Sequence, residues 1–363
     1  MKKMKVCWIS NTPSPYKVAF MDLLGQKTDL LCLFESRAEK DRESSWYNYE
    51  TRHFKAVYLD KNNRRRVLKE AAAGYDLLIN SDYSQPVCMY ATHLFHKYKK
   101  KVYIHADGGL AVPRGFIDKI ISFVMKRADE YLSSGKEVNK YFNYYGIRDE
   151  KIRNYRFAAM SEQEITNAAQ MRAEKEKYRE RCEYKEEIIF LSVGQQIPRK
   201  GYDILVQAAA GLPENIGFYI VGGKPEENVL KIVRENKLKN IHFVPFLHKE
   251  ELAEYYAGAD VFVLPTRYDI WGLVINEAMA FGLPVLSTDH CVAALEFDRL
   301  YKNCVNVPVE DVQKLREAIL TLAEDEELRN TLGKRSLEGI RDWSLEQRCE
   351  DFAQILNSNR VAE

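Results

Sequence analysis

One strand–helix–strand pattern, between Val261 and Ser287, constrains the fold of this 363-residue chain more than any other segment. Two apolar runs, Val261–Leu264 and Val285–Ser287, have the composition of buried strands, and a helical pattern that begins at Gly272 connects them. In open α/β sheets, ligands bind beyond the carboxyl ends of the strands. The acidic loop that follows the first of these strands therefore predicts a binding site.

The same alternation of short apolar runs and helical patterns extends along the chain and predicts doubly wound parallel sheets. A chain of this length is too long for one ordinary core, so we expect two Rossmann-like domains of roughly 150–200 residues each. We predict a first domain over residues 1–165, completed by 344–363, and a second over 186–343. The predicted strands are Lys5–Ile9, Leu30–Phe34, Leu77–Ile79, Lys101–His105, Tyr131–Ser133, Ile188–Val193, Gly217–Val221, Ile241–Val244, Val261–Leu264, Val285–Ser287 and Cys304–Val307.

Two segments outside these sheets have helical signals. Residues 161–187 are rich in Glu, Lys and Arg and predict an exposed helix leading out of the first domain, with Ser161 and Glu164 spaced as a capping box. After a helix at Val312–Ala323 and a charged turn, a break near Trp343 precedes a final amphipathic helix, Gln347–Leu356.

The cysteines and the apolar runs indicate a cellular compartment. The seven cysteines are odd in number and scattered, without metal-binding spacing, and this favours free thiols in a reducing environment. The sequence begins without the apolar region of a signal peptide, and no apolar run approaches the ~18–20 residues that span a bilayer. We therefore expect a cytoplasmic protein that binds no metal.

The amino half of the chain is basic. Residues 1–160 contain 29 Lys+Arg and 18 Asp+Glu, a balance of +11, although the whole chain carries +1. Such a half fits an anionic membrane surface, a phosphorylated acceptor or nucleic acid, and equally a solvated surface; without the aromatic–basic interleaving of RNA-binding motifs we expect no nucleic acid. The helix at 116–127 is apolar with a basic end, so it either lies on a membrane surface or packs against the sheet.

A second strand and turn supply positive charge. The run Phe190–Val193 is followed by Gly194 and then by Arg199, Lys200 and a glycine that begins a helix. Two cations beside a helix N-terminus can stabilise a departing diphosphate as a metal ion otherwise would. The sequence therefore predicts a phosphate clamp at Arg199 and Lys200.

The helix that begins at Gly272 complements this clamp. The backbone N–H groups of Gly272, Leu273 and Val274 can bind phosphate oxygens, and glycine lets the chain approach the ligand closely. Glu277 lies on the second turn, where a carboxylate can accept hydrogen bonds from a ribose diol. Together these residues predict a site for a sugar nucleotide, bound as a substrate rather than as a cofactor.

Two motifs resemble those of a known family. Asp269 and Glu277 are separated by seven residues, and Gly194–Gly201 reads Gly-x4-Arg-Lys-Gly. Both patterns are similar to the signatures of retaining glycosyltransferases of the GT-B fold, family 4. The resemblance covers residues 188–345. It implies two Rossmann-like domains facing a cleft, with a C-terminal helix that crosses back to the first domain. It also implies transfer of a hexose from a nucleoside-diphosphate sugar, by expectation a UDP-sugar, to a glycan or lipid-linked acceptor in bacterial surface polysaccharide synthesis.

The resemblance also implies roles for individual residues and shows where this chain departs. The family's first acid, usually Glu, contacts the transferred sugar; here it is the shorter Asp269, which predicts an altered donor preference. Trp271 stands in place of the family's Phe, and we expect its indole to line the pocket wall or to stack on a ring. His105 occupies the place of a histidine that faces the sugar. The remaining contacts that we expect are Gly194 and Phe246 with the donor, Phe246 near its nucleobase, and Pro15, Lys17 and Arg114 with the acceptor.

The sequence pattern bears on three other functions. A nucleotide-sugar epimerase of the same architecture would need acid and base residues across the cleft, and a non-catalytic sugar-nucleotide-binding protein would tolerate the short Asp269. Both remain open. A dinucleotide oxidoreductase is disfavoured, because neither half has Gly-x-Gly-x-x-Gly after its first strand.

Overall fold

Every strand pair in the described residues (3–37, 50–113 and 115–358 of a computed structural model) is parallel, and the pairs form two separate sheets. The chain divides into two units, Met1–Ala159 with Leu345–Glu363, and Met160–Ser344. Each unit contains one of the sheets.

The sheet of the first unit has the strand order β3-β2-β1-β4-β5-β6-β7. Its strands are β1 Lys5–Ser10, β2 Asp29–Phe34, β3 Lys55–Tyr58, β4 Leu77–Asn80, β5 Lys101–Ala106, β6 Glu130–Ser133 and β7 Ile152–Asn154. Its first five helices are α1 Pro15–Lys27, α2 Arg64–Gly74, α3 Pro86–Lys97, α4 Phe116–Met125 and α5 Lys136–Tyr144. Since β1 is covered on both faces, Val6 to Ile9 form one continuous buried run. The strand order reverses beside β1, and this marks the ligand-binding edge of such a sheet.

The sheet of the second unit has the order β10-β9-β8-β11-β12-β13. Its strands are β8 Ile188–Val193, β9 Ile216–Val221, β10 Ile241–Val244, β11 Val261–Leu264, β12 Val285–Thr288 and β13 Cys304–Val307. Its helices are α6 Glu162–Ala173, α7 Lys175–Arg181, α8 Tyr202–Ala209, α9 Glu227–Glu235, α10 Lys249–Gly258, α11 Leu273–Ala280, α12 Val292–Tyr301, α13 Val312–Glu324 and α14 Glu326–Ile340. The central strands β8 and β11 are neighbours, so the loops that follow them lie side by side.

The last helix, α15 (Leu345–Ser358), belongs to the first unit and packs against α1, as the family resemblance predicts. The Phe352 ring stacks on Trp8 with 5.4 Å between ring centroids. Arg348 is 1% exposed, and its guanidinium lies 4.0 Å from the centre of the Phe20 ring. Because α15 supplies these buried groups, the first unit is built from two distant parts of the chain.

The predicted strands all form, but other predictions differ from the structure. Strands β3 and β7 are short edge strands that the sequence pattern does not predict. The predicted charged turn after Ala323 is wrong, because α14 occupies that segment. The predicted single exposed helix at 161–187 is two helices, which pack on α10 in the second unit; the Ser161–Glu164 capping box is confirmed.

Two further features are the state of the cysteines and the length of the apolar helices. The seven cysteines are all buried as free thiols. Among the residues that the structure describes, no helix combines the length and the hydrophobicity needed to cross a bilayer.

Candidate active site

The loops after β8 and β11 contact each other at the carboxyl edge of the second sheet. The backbone N–H of Arg267 and the hydroxyl of Thr266 both donate to the Arg199 carbonyl, at 2.8 and 3.0 Å. Gly201 has φ +70°, and a Cβ atom there would lie 2.0 Å from the Pro265 carbonyl oxygen. Only glycine allows this approach, which brings the basic turn against the acidic loop.

The predicted phosphate clamp and the predicted sugar-contacting acid form a buried ion pair. Lys200 Nζ lies 2.6 Å from Asp269 Oδ2, and the two side chains are 9% and 11% exposed. Arg199 is more open: its side chain is 41% exposed, and its guanidinium lies 3.5 Å from the same oxygen while donating to the Tyr268 carbonyl. The clamp therefore consists of one buried cation, neutralised by Asp269, and one accessible cation.

The backbone of Asp269 is fixed by the loop that precedes α12. Its N–H donates to the His290 carbonyl at 2.9 Å, and its own carbonyl accepts from the Val292 N–H at 3.2 Å. Asp269 is thus held on both sides by main-chain hydrogen bonds. Since its short side chain has little reach, the position of the carboxylate is set by the backbone.

Glu277 lies on α11 beside the tyrosine that holds it. The Tyr256 hydroxyl donates to Glu277 Oε2 at 2.9 Å. Burial raises the pKa of Glu277 above its ordinary value, while the hydrogen bond from Tyr256 opposes that rise. Burial also raises the pKa of Tyr256. Because carboxylate oxygens have several lone pairs, Glu277 can accept further hydrogen bonds from a diol.

The amino end of α11 is shaped for an anion. Gly272 has φ +100°, and a Cβ atom there would lie 3.0 Å from Cys291 Sγ, so the position favours glycine. In the part of the chain that the structure describes, no side chain caps this helix. Leu273 and Val274, its first residues, are half-buried. Their backbone N–H groups and the helix dipole favour negative charge.

Two other predicted donor contacts lie at the same edge of the sheet. Gly194 follows β8, and its N–H donates to the Val221 carbonyl at 2.9 Å. Phe246 follows β10, is 38% exposed and packs edge-on against His248. Both stay predictions as donor-binding residues.

The prediction for Trp271 is wrong. The indole is 2% exposed, stacks on Trp343 with 5.8 Å between ring centroids, and donates from Nε1 to Asn276 Oδ1 at 2.9 Å. A side chain with these contacts neither lines a pocket nor stacks on a ligand. Trp271 instead anchors the start of α11 to the core of its unit.

His105 is the penultimate residue of β5 in the first unit and is 3% exposed. Its Nδ1 lies 3.0 Å from the Ser81 hydroxyl, and its Nε2 lies 2.8 Å from the Tyr155 hydroxyl and 3.2 Å from Asp107 Oδ1. Burial lowers the pKa of His105, which favours the neutral ring. Burial alone would raise the pKa of Asp107, but His105 and Arg348 hold it below its ordinary value. The catalytic role of His105 stays a prediction.

The predicted acceptor residues lie at the start of α1. Pro15 is exposed as the first residue of that helix. Lys17 donates to the Asn11 side-chain oxygen at 2.6 Å and to the Ser10 hydroxyl at 3.1 Å. Arg114 lies outside the described residues.

Some residues that hold the site were missed. Tyr256 is 21 positions before the glutamate it contacts, and the His290 contact is equally remote from Asp269 in sequence. Arg348 donates to Asp107 from 241 positions away. Only Asp107, two residues after the predicted His105, had a local signal. Within the described ranges, no group of three or more His, Cys, Asp or Glu side chains is arranged to hold a metal ion.

Comparison with known proteins gives a family match within the second unit and two related sequences. Residues 174–338 match the family model described as "Glycosyl transferases group 1". An uncharacterized glycosyltransferase of Methanocaldococcus jannaschii is 31% identical over 159 residues, covering 43% of this chain and 44% of that protein. The lipopolysaccharide core biosynthesis glycosyltransferase LpsE of Rhizobium meliloti is 27% identical over 172 residues, covering 47% of this chain and 50% of the relative. The chain thus spans about half the length of these curated relatives.

A solved structure matches nearly the whole chain. HepE of Anabaena, in complex with UDP, has a TM-score of 0.79 at 15% identity, covering 98% of this chain and 100% of HepE. HepE has also been solved with UDP-glucose. At this level of identity the likeness defines the fold.

The two doubly wound units and the returning C-terminal helix are therefore the GT-B fold of glycosyltransferases. Within it, residues 174–338 are a glycosyl transferases group 1 domain, and this domain contains Arg199, Lys200, Asp269 and Glu277.

Proposed function

We propose that this protein transfers a hexose from a UDP-sugar to a glycan or lipid-linked acceptor, with retention of anomeric configuration and without a metal ion. The observation that carries the proposal is the cluster in the second unit. Arg199 and Lys200, in the loop after β8, lie 3.5 and 2.6 Å from Asp269 Oδ2. Asp269 lies in the loop that precedes α11, the helix that carries Glu277. This donor set matches a sugar attached to a diphosphate and a ribose.

The proposed chemistry assigns one role to each charged group. Arg199, Lys200 and the amino end of α11 stabilise the negative charge that develops on the departing diphosphate. Asp269 accepts hydrogen bonds from hydroxyls of the transferred sugar, and Glu277 accepts them from the ribose diol. With these cations in place, the leaving group is stabilised without a metal.

Retention follows from attack on the face that the diphosphate leaves. The bond between the anomeric carbon and the diphosphate oxygen breaks, and the acceptor oxygen forms the new bond on the same side. The acceptor proton passes to the departing phosphate oxygen. This step needs no protein nucleophile, which distinguishes it from glycosidases with a covalent intermediate.

The proposal includes further contacts at the carboxyl edges of the two sheets. We assign Gly194 and Phe246 to the donor, Pro15 and Lys17 to the acceptor, and His105 to the transferred sugar. The polysaccharide-synthesis enzymes among the relatives, such as LpsE, support a glycan acceptor.

We also propose that the protein works in the cytoplasm at the inner face of the membrane. The free, buried state of its cysteines fits a reducing compartment. The positive charge of residues 1–160 fits an anionic surface.

The test is a transfer assay that combines nucleotide sugars with candidate glycan and lipid-linked acceptors. We expect turnover with a UDP-sugar, unchanged by chelator, and an α-configured donor should give an α-linked product. Lys200→Ala and Glu277→Ala should each abolish it, while Leu300→Ala, an exposed position on α12, serves as the matched control. Loss of turnover with chelator would overturn the metal-free mechanism. An isomerised nucleotide sugar formed without acceptor would indicate an epimerase, and UDP binding without any turnover would indicate a binding protein.

A further inference from the structure

Helix α4 in the first unit has two apolar faces, of which only one is covered. Its inward face is buried through Ile121, Val124 and Met125. Its outward face, here called the α4 apolar face, consists of Phe116, Ile117, Ile120 and Phe123, which are 74%, 55%, 51% and 59% exposed. A contiguous group of exposed large apolar side chains marks an interaction surface, so this face indicates a partner.

Polar contacts fix the rotation of this helix. The two oxygens of Asp118 accept hydrogen bonds from the hydroxyls of Tyr144 and Tyr145, each at 3.0 Å. The Ser122 hydroxyl donates to the Tyr145 carbonyl at 3.0 Å. These bonds attach Asp118 and Ser122 to Tyr144 and Tyr145, so the α4 apolar face cannot turn towards the core without breaking them.

The exposed charges on α4 and in the two residues after it are positive. Lys119, Lys126 and Arg127 are all exposed, and the Arg127 guanidinium lies 4.7 Å from the centre of the Phe123 ring. The acid between residues 115 and 127 is Asp118, whose carboxylate is engaged on the inward side. The surface therefore presents apolar side chains that can enter a hydrocarbon phase and cations that can bind anionic groups.

We propose that the α4 apolar face inserts into the interfacial region of a bilayer containing anionic lipid, while Lys119, Lys126 and Arg127 contact the headgroups. This arrangement of apolar residues with flanking cations is that of a helix lying in a membrane interface, where long basic side chains reach up to the phosphates. The inference deepens the proposed function by naming the surface that contacts the membrane. The biological purpose of this contact rests on the proposed function, whereas the membrane binding itself does not.

Vesicle binding of the full chain tests the proposal without nucleotide sugar, so its outcome is independent of catalysis. The probes are vesicles of phosphatidylcholine alone and with phosphatidylglycerol, and bound protein is measured by cosedimentation. We expect binding to the anionic vesicles. The triple variant Phe116→Ser, Ile120→Ser, Phe123→Ser should lower the partition coefficient at least about tenfold. Lys119→Gln with Arg127→Gln should lower it roughly thirtyfold, since each cation near an anionic surface contributes about fivefold.

Leu300→Ser is the matched control, because Leu300 is 41% exposed on a helix of the other unit and should leave binding unchanged. All variants alter exposed side chains, so their thermal unfolding should match that of the parent. The proposal is overturned if the parent protein does not bind anionic vesicles, or if the triple variant binds as well as the parent. Equal binding to both kinds of vesicle would overturn the role of the cations. A dimer in solution that the triple variant dissociates, without vesicle binding, would identify the face as a self-association surface instead.

Discussion

The Lys200–Asp269 ion pair should couple the two residues strongly in the stability of the second unit. Replacing Asp269 with Leu leaves the Lys200 ammonium buried without its partner, because both side chains are about one-tenth exposed. Removing one member of a buried ion pair costs about 3–5 kcal/mol, while replacing both with apolar groups of similar volume is close to neutral. For a unit of this size, a 3 kcal/mol loss lowers Tm by roughly 6–12 °C.

The assay is urea and thermal unfolding of Asp269→Leu, Lys200→Met and the double variant, followed through the transition that UDP shifts. We expect each single variant to be destabilised and the double variant to recover most of the loss, giving a coupling of about 3 kcal/mol. The single variants should also differ in ligand response: UDP should restore stability to Asp269→Leu, whose buried cation needs an anion, but not to Lys200→Met. Additive losses, or equal rescue of both by UDP, would refute the reasoning.

The remaining predictions concern Glu277, Trp271 and His105. Glu277→Gln should raise the stability of the ligand-free protein at neutral pH, because burial raises the pKa of Glu277 and disfavours its charged form. The same substitution should weaken UDP binding about 10- to 100-fold in calorimetry. A lower stability of the ligand-free variant would contradict this prediction. Trp271→Phe should lower the free energy of unfolding in urea by about 1–3 kcal/mol without changing the preferred donor sugar, since the indole packs on Trp343. A changed donor preference would indicate that Trp271 contacts the donor. Burial lowers the pKa of His105 from 6.5, so the folded protein resists its protonation and stability should fall as the pH drops below about 6.5. His105→Asn should flatten that pH dependence, and an unchanged slope would assign it to another group.

The central strands could be predicted from sequence because strands buried on both faces are continuous apolar runs. Leu264 and its neighbours, like Val6 to Ile9, are covered by helices on both sides, so their composition alone is distinctive. The edge strands β3 and β7 are four and three residues long, and most of those residues are half-buried or exposed, so such short segments resemble loops. Helix α14 was missed because its charged residues predict a turn, and its stability comes from packing against α11 and α12.

The candidate site was predictable in part for a similar reason. Asp269, Glu277 and the Arg199–Lys200 pair lie in local motifs at strand ends, where spacing along the chain determines position in space. The residues that contact these side chains lie outside the local motifs; for example, Tyr256 donates to Glu277 from a different helix. Trp271 shows the converse error, because its place in a motif suggested ligand contact while tertiary packing buried it.

The position of α15 determines the order in which the two units can be completed during synthesis. Residues Met160–Ser344 are contiguous, so the second unit can fold as soon as its own segment has been made. The first unit must wait for Arg348 and Phe352, which enter its core. At about 5–20 residues per second, the ribosome takes roughly 10–40 s to traverse the intervening segment. During that interval the amino-terminal unit exposes the apolar surface that α15 later covers on α1, so the unit that is made first is completed after the second.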